Sequence, residues 1–128
     1  MGWGIGFILV LLGFGIMTLQ VIPGVRRVLP DHCAEVDCHM MGFHILAAGA
    51  MLSNVLWWVE GSGEMSVLAR AHAAFCLAWV ALSLLVGIGI ALGQLPPPDT
   101  RFSDWPPWYR LFLLVGVVSI LITTGLSL

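Results

Sequence analysis

Residues 71–93 read AHAAFCLAWVALSLLVGIGIALG, a run with no charged side chain. As a helix it would extend ~35 Å at ~1.5 Å per residue, enough to cross the ~30 Å hydrocarbon core of a bilayer. Gln94 and Pro96-Pro97-Pro98 end it. Three further apolar stretches follow the same rule. One runs from Trp3 to Val21 and stops at Pro23-Gly24, and another runs from Met40 to Val59 and stops at Glu60-Gly61. The last runs from Leu111 to Leu128. Its helix is expected to begin at Pro107, with Ser103 or Asp104 as the N-cap and proline in the first turn. All four are apolar on every face, whereas a spanning β-strand alternates. A backbone in lipid must satisfy its own hydrogen bonds, which favours helices. The expected fold is all-α: a polytopic integral membrane protein, one four-helix transmembrane domain over 1–128, with spans at about 3–21, 40–59, 71–93 and 107–128 and short loops.

The composition agrees. Of 128 residues, 59% are hydrophobic and 9% charged, and lysine is absent. Soluble domains sit near ~25% charged, so a water-soluble enzyme is excluded. Nucleic acid is excluded as a partner because no basic face can be assembled from five arginines. The N-terminal run lacks a basic leader and a small-residue cleavage pattern, so it reads as a retained span rather than a signal peptide.

Orientation follows arginine. Loops 22–39 and 94–110 share one side and hold Arg26, Arg27, Arg101 and Arg110, while loop 60–70 holds only Arg70. The positive-inside rule puts loops 22–39 and 94–110 in the cytoplasm and both termini outside. The expected location is a bacterial inner or energy-converting membrane. Trp3, Trp57, Trp58, Trp105 and Trp108 fall at span ends and read as interfacial anchors; Trp79 is the exception, inside the third span.

The apolar runs 3–21, 40–59, 71–93 and 111–128 contain no Asp, Glu, Lys or Arg. Ion-driven carriers need an ionisable group that binds and releases the ion, which argues against a drug/proton antiporter. A thiol oxidoreductase needs a reactive cysteine pair. Cys33, Cys38 and Cys76 contain no C-x-x-C, which argues against that class too. Serines and threonines in the spans can bond back to their own helices and signal little. Gly2-x3-Gly6 and Gly89-x3-Gly93 have helix-packing spacing, read as packing within the chain.

Two histidines lie inside spans, His44 and His72, and each is a candidate single ligand to a haem or a chlorophyll-type pigment. His44 is near the loop-one end of its span and His72 near the loop-two end of the next. Successive spans are antiparallel, so the two lie ~20 Å apart in depth and cannot share one haem. Hydrogen bonding to neighbours is the simpler fate for both. Asn54 shares a stripe with Ala47, Met51 and Trp58 and is expected to bind helix to helix.

The segment Asp31-His32-Cys33-Ala34-Glu35-Val36-Asp37-Cys38-His39 holds two cysteines and two histidines. Thiolate and imidazole together suit zinc or copper, which makes His32, Cys33, Cys38 and His39 the candidate metal ligands. On a helix Cys33 and Cys38 would point ~140° apart, so a compact four-ligand site requires a loop here. A Cys33–Cys38 disulfide and a plain polar cap for span two are the alternatives.

Three functions fit these features. The first is a non-catalytic accessory subunit of a larger membrane complex of electron transport or photosynthesis, packed between larger subunits and shielding cofactors or lipids. Its expected partners are the bilayer with bound lipids and other membrane subunits, in a hetero-complex rather than a homo-oligomer. The second is copper or zinc handling through the Cys/His segment. The third is a small homo-oligomeric channel or carrier for an uncharged solute.

Overall fold

A computed structural model describes residues 2–18, 35–92 and 105–128. They form four helices: α1 (Trp3–Thr18), α2 (Glu35–Gly61), α3 (Val67–Ala91) and α4 (Pro107–Ser127). The all-helical expectation holds. α2 from Met40, α3 and α4 are each long and apolar enough to cross a membrane, and α1 is a shorter apolar helix of 16 residues. Residues 19–21, the expected end of the first span, lie outside the described residues.

The boundaries move where a charged residue ends the apolar run without ending the helix. α2 begins at Glu35, not Met40, so Cys38 and His39 belong to helix rather than loop. α3 begins at Val67, not Ala71. Ser66 caps it, its hydroxyl accepting from the Ala69 N–H at 3.1 Å, a favourable N-terminal arrangement. Arg70 therefore stands on the second turn of α3. α4 begins at Pro107 as expected, but its N-cap is Pro106 and not Ser103 or Asp104. Pro107 forbids helical backbone at the residue before it, and Pro106 is accordingly extended, at φ −54° and ψ 139°.

α2 is the central helix, against which α1, α3 and α4 all pack. The α1–α2 pair is built on glycine. A Cβ at Gly6 would lie 2.6 Å from the Gly49 carbonyl oxygen, and one at Gly49 would lie 2.6 Å from that of Gly6. Seven residues further along α1, Gly13 meets Gly42 in the same reciprocal way. The two backbones touch directly, the close approach that small residues permit in lipid. Gly2 continues the face against Leu56 and Glu60, and its N–H donates to Glu60 Oε1 at 2.7 Å. The packing reading of Gly2 and Gly6 holds for this chain, while Gly93 lies outside the described residues.

On the other side of α2, the core gathers Ala48, Met51, Val55, Trp58, Ala73, Cys76, Trp79 and Val80. Trp58 is buried, so it is a core residue and not an interfacial anchor; its neighbour Trp57 is exposed and meets Trp3 edge-on at 5.7 Å. Trp79 inserts between α3 and α4. Its indole lies on Gly116, where any Cβ would collide with it, and stacks on Phe112 at 4.8 Å. Its N–H donates to the Phe112 carbonyl at 3.0 Å, giving a buried indole the partner it requires. Large apolar side chains cover the outward faces, among them Phe7, Leu11, Leu85, Leu114 and Leu121. In water such surface would be untenable; in a bilayer it is the ordinary lipid-facing coat.

Candidate functional site

The bundle buries two separate polar clusters. The first is at the end where α2 and α4 begin. His44 is fully buried. Its Nδ1 lies 2.7 Å from the Met40 carbonyl oxygen and its Nε2 lies 2.8 Å from the Tyr109 hydroxyl. A carbonyl can only accept, so Nδ1 carries the proton and donates. Nε2 is then bare, and Tyr109 donates its O–H to it. Ser83 on α3 donates to the His44 carbonyl at 2.9 Å. Gly87, one turn further along α3, leaves room for the His44 side chain: a Cβ there would lie 3.3 Å from His44 Cβ. Three helices thus meet at one histidine.

Tyr109 is the residue that the sequence reading did not single out. It follows a stretch rich in proline and tryptophan, and it is buried in the first turn of α4. Trp105 and Trp108 meet its ring edge-on at 5.3 and 5.6 Å. The signal was available: Tyr109, Gly116 and Thr123 recur every seven residues on α4, and with Ser119 they are its buried positions. The buried positions of this helix are thus taken by polar and small residues, not by its large aliphatic ones. Arg110 follows in the same turn, with its Nε buried and without a hydrogen-bond partner.

The second cluster is toward the other end. Thr123 donates to the Ser119 carbonyl at 2.8 Å, so its oxygen is an acceptor for His72 Nε2 at 2.9 Å. Cys76, a free buried thiol, lies 3.6 Å from the same nitrogen and 3.8 Å from the Thr123 hydroxyl. Trp58 meets the His72 ring edge-on at 5.7 Å. Nearby, Asn54 donates from Nδ2 to the Ile120 carbonyl at 3.2 Å and to Thr124 Oγ1 at 2.9 Å. Asn54 joins α2 to α4, the helix-binding role its position implied.

The two histidines are far apart, as the antiparallel argument requires. Their α4 partners, Tyr109 and Thr123, are separated by ~21 Å of helix at ~1.5 Å per residue. Both ring nitrogens of His44 are engaged within the chain; a haem or pigment there would have to displace Tyr109 or the Met40 carbonyl. His72 has Nε2 engaged.

Of the candidate metal ligands, His32 and Cys33 lie outside the described residues, and Cys38 and His39 lie on the backbone of α2. Among the described residues no three His, Cys, Asp or Glu side chains gather as a metal site. The hydroxyls divide: Thr123, Thr124 and Ser127 bond back to their own helix, whereas Ser83 reaches across to α2. Compared with known protein families, with curated proteins and with solved structures, the chain matches none.

Proposed function

We propose that this chain is a non-catalytic packing subunit of a larger membrane complex, one that carries electrons or harvests light. One observation carries the reading: the polar groups of His44, Asn54, Ser83, Thr123 and Tyr109 are engaged across helices, holding α2, α3 and α4 together. Interhelical hydrogen bonds of this kind fix a helix arrangement. The outward faces of α1, α3 and α4 remain apolar and uncovered by the chain itself, surface suited to lipid tails or to the flank of a larger subunit. In this reading the ends bearing Arg26, Arg27, Arg101 and Arg110 face the cytoplasm.

The experiment is extraction of the native membrane in mild detergent, followed by affinity isolation of the tagged chain. The expected result is a stoichiometric complex with larger polypeptides, and an absorption spectrum identifies any haem or pigment they hold. Isolation of the chain alone, combined with solute flux or metal transfer when it is reconstituted by itself, would overturn the reading.

A further inference from the structure

The His44–Tyr109 contact has more chemistry than helix packing requires. The Met40 carbonyl fixes the His44 proton on Nδ1, which leaves Nε2 as a bare base 2.8 Å from the phenol oxygen. Both side chains are buried, so water does not compete for that nitrogen. Tyr109 is the single tyrosine of the chain. Its ring is flanked by Trp105 and by Trp108, and Trp108 is exposed on the outer surface. An aromatic path therefore runs from the exterior to the buried phenol.

We propose that Tyr109 and His44 form a proton-coupled redox pair. Tyr109 gives one electron to an outer-sphere, high-potential one-electron oxidant, and the O–H bond breaks as its proton moves to His44 Nε2. The products are a neutral tyrosyl radical, a His44 imidazolium and the reduced acceptor; reversal returns both the electron and the proton. The imidazolium remains hydrogen-bonded at both ends, Nδ1–H to the Met40 carbonyl and Nε2–H to the phenoxyl oxygen, so the proton needs no further destination. A phenol without such a base would have to release its proton into an apolar interior. The cellular oxidant, an oxidised porphyrin-type cofactor of a neighbouring subunit, rests on the subunit reading above; the chemistry of the pair does not.

The test uses the full chain in detergent and a flash-generated ruthenium(III) polypyridyl as the oxidant, with detection by electron paramagnetic resonance. A radical that narrows when the protein carries ring-deuterated tyrosine is expected, because only Tyr109 can take the label. Its formation slows in D2O, and His44→Gln slows it by about 10²-fold, the scale of a lost general base. A spectrum indifferent to ring deuteration, which would place the radical on tryptophan, overturns the proposal. Formation at the same rate in D2O also overturns it. Should His44→Gln not fold, the two wild-type isotope measurements decide alone. The test needs no partner, so failure to isolate a complex would remove the subunit reading and leave the pair standing.

Discussion

Asn54 shows how much one polar side chain can fix in lipid. Its amide reaches a backbone carbonyl and a hydroxyl on α4, and both acceptors lie one turn apart at Ile120 and Thr124. The carbonyl of Ile120 already accepts from the Thr124 hydroxyl at 2.8 Å, so the three groups form a closed set. Removing Asn54 leaves α4 with its own internal bonds intact, which limits the cost. We expect Asn54→Leu to destabilise the bundle by about 0.6–1.7 kcal/mol, the range of interhelical hydrogen bonds in membranes, measured by denaturant titration in mixed micelles. Combined with Thr124→Val the loss should be less than additive, since both changes break the same contact. Asn54 was legible in the sequence because a polar amide amid apolar neighbours has few other fates. Tyr109 was not, because a tyrosine in the first turn of a span reads as interfacial, and nothing in its neighbours Pro106, Pro107 and Trp108 signals burial. The proton on His44 was equally hidden, since it follows from the geometry of the Met40 carbonyl and from nothing local in sequence.

Between elements, the α1–α2 pair carries a register that only the two helices read together reveal. Gly6 and Gly13 are seven residues apart, Gly42 and Gly49 likewise, and antiparallel packing sets them face to face. Looking along one helix for glycines four apart finds Gly2 and Gly6 but misses this longer step. The existence of the helices was legible, since apolar length decides it. The starts of α2 and α3 were not, because Asp37 and Arg70 close the apolar run while the helix reaches back past them to Glu35 and Val67. The glycine contact makes a sharp expectation. Gly49→Ala places a methyl group against backbone, which cannot yield as a side-chain tip would, and should cost about 1–3 kcal/mol as overpacking does. Gly4→Ala meets nothing within 4 Å and should be neutral or slightly stabilising. Both are read by thermal unfolding in detergent, and accessibility of cysteines placed along α1 shows whether α1 has detached.

Across the whole molecule, the two polar clusters are built on the same three helices but at opposite ends. α4 contributes Tyr109 to one and Thr123 to the other, ~21 Å apart by the ~1.5 Å rise of the helix. Between them lies an apolar middle, in which Trp79 closes the α3–α4 contact on Gly116 and Phe112. No hydrogen bond given by the described residues links His44, Ser83 or Tyr109 to His72, Cys76 or Thr123. The clusters should therefore act as independent clamps. Tyr109→Phe and Thr123→Val, which share no partner, are expected to add to within about 0.3–0.5 kcal/mol when combined. His72→Phe with Thr123→Val, which share one hydrogen bond, should depart from additivity by about 0.5 kcal/mol or more. The three single variants and two doubles, unfolded in the same mixed micelles, give both cycles at once. Strong coupling between the distant pair would mean that α4 shifts as a rigid rod, so that loosening one end moves the other. In that case the redox pair at Tyr109 would be sensitive to changes around Thr123 that never touch it. Additivity would instead confine any oxidation at Tyr109 to its own end of the bundle, with α2 holding the far cluster unchanged.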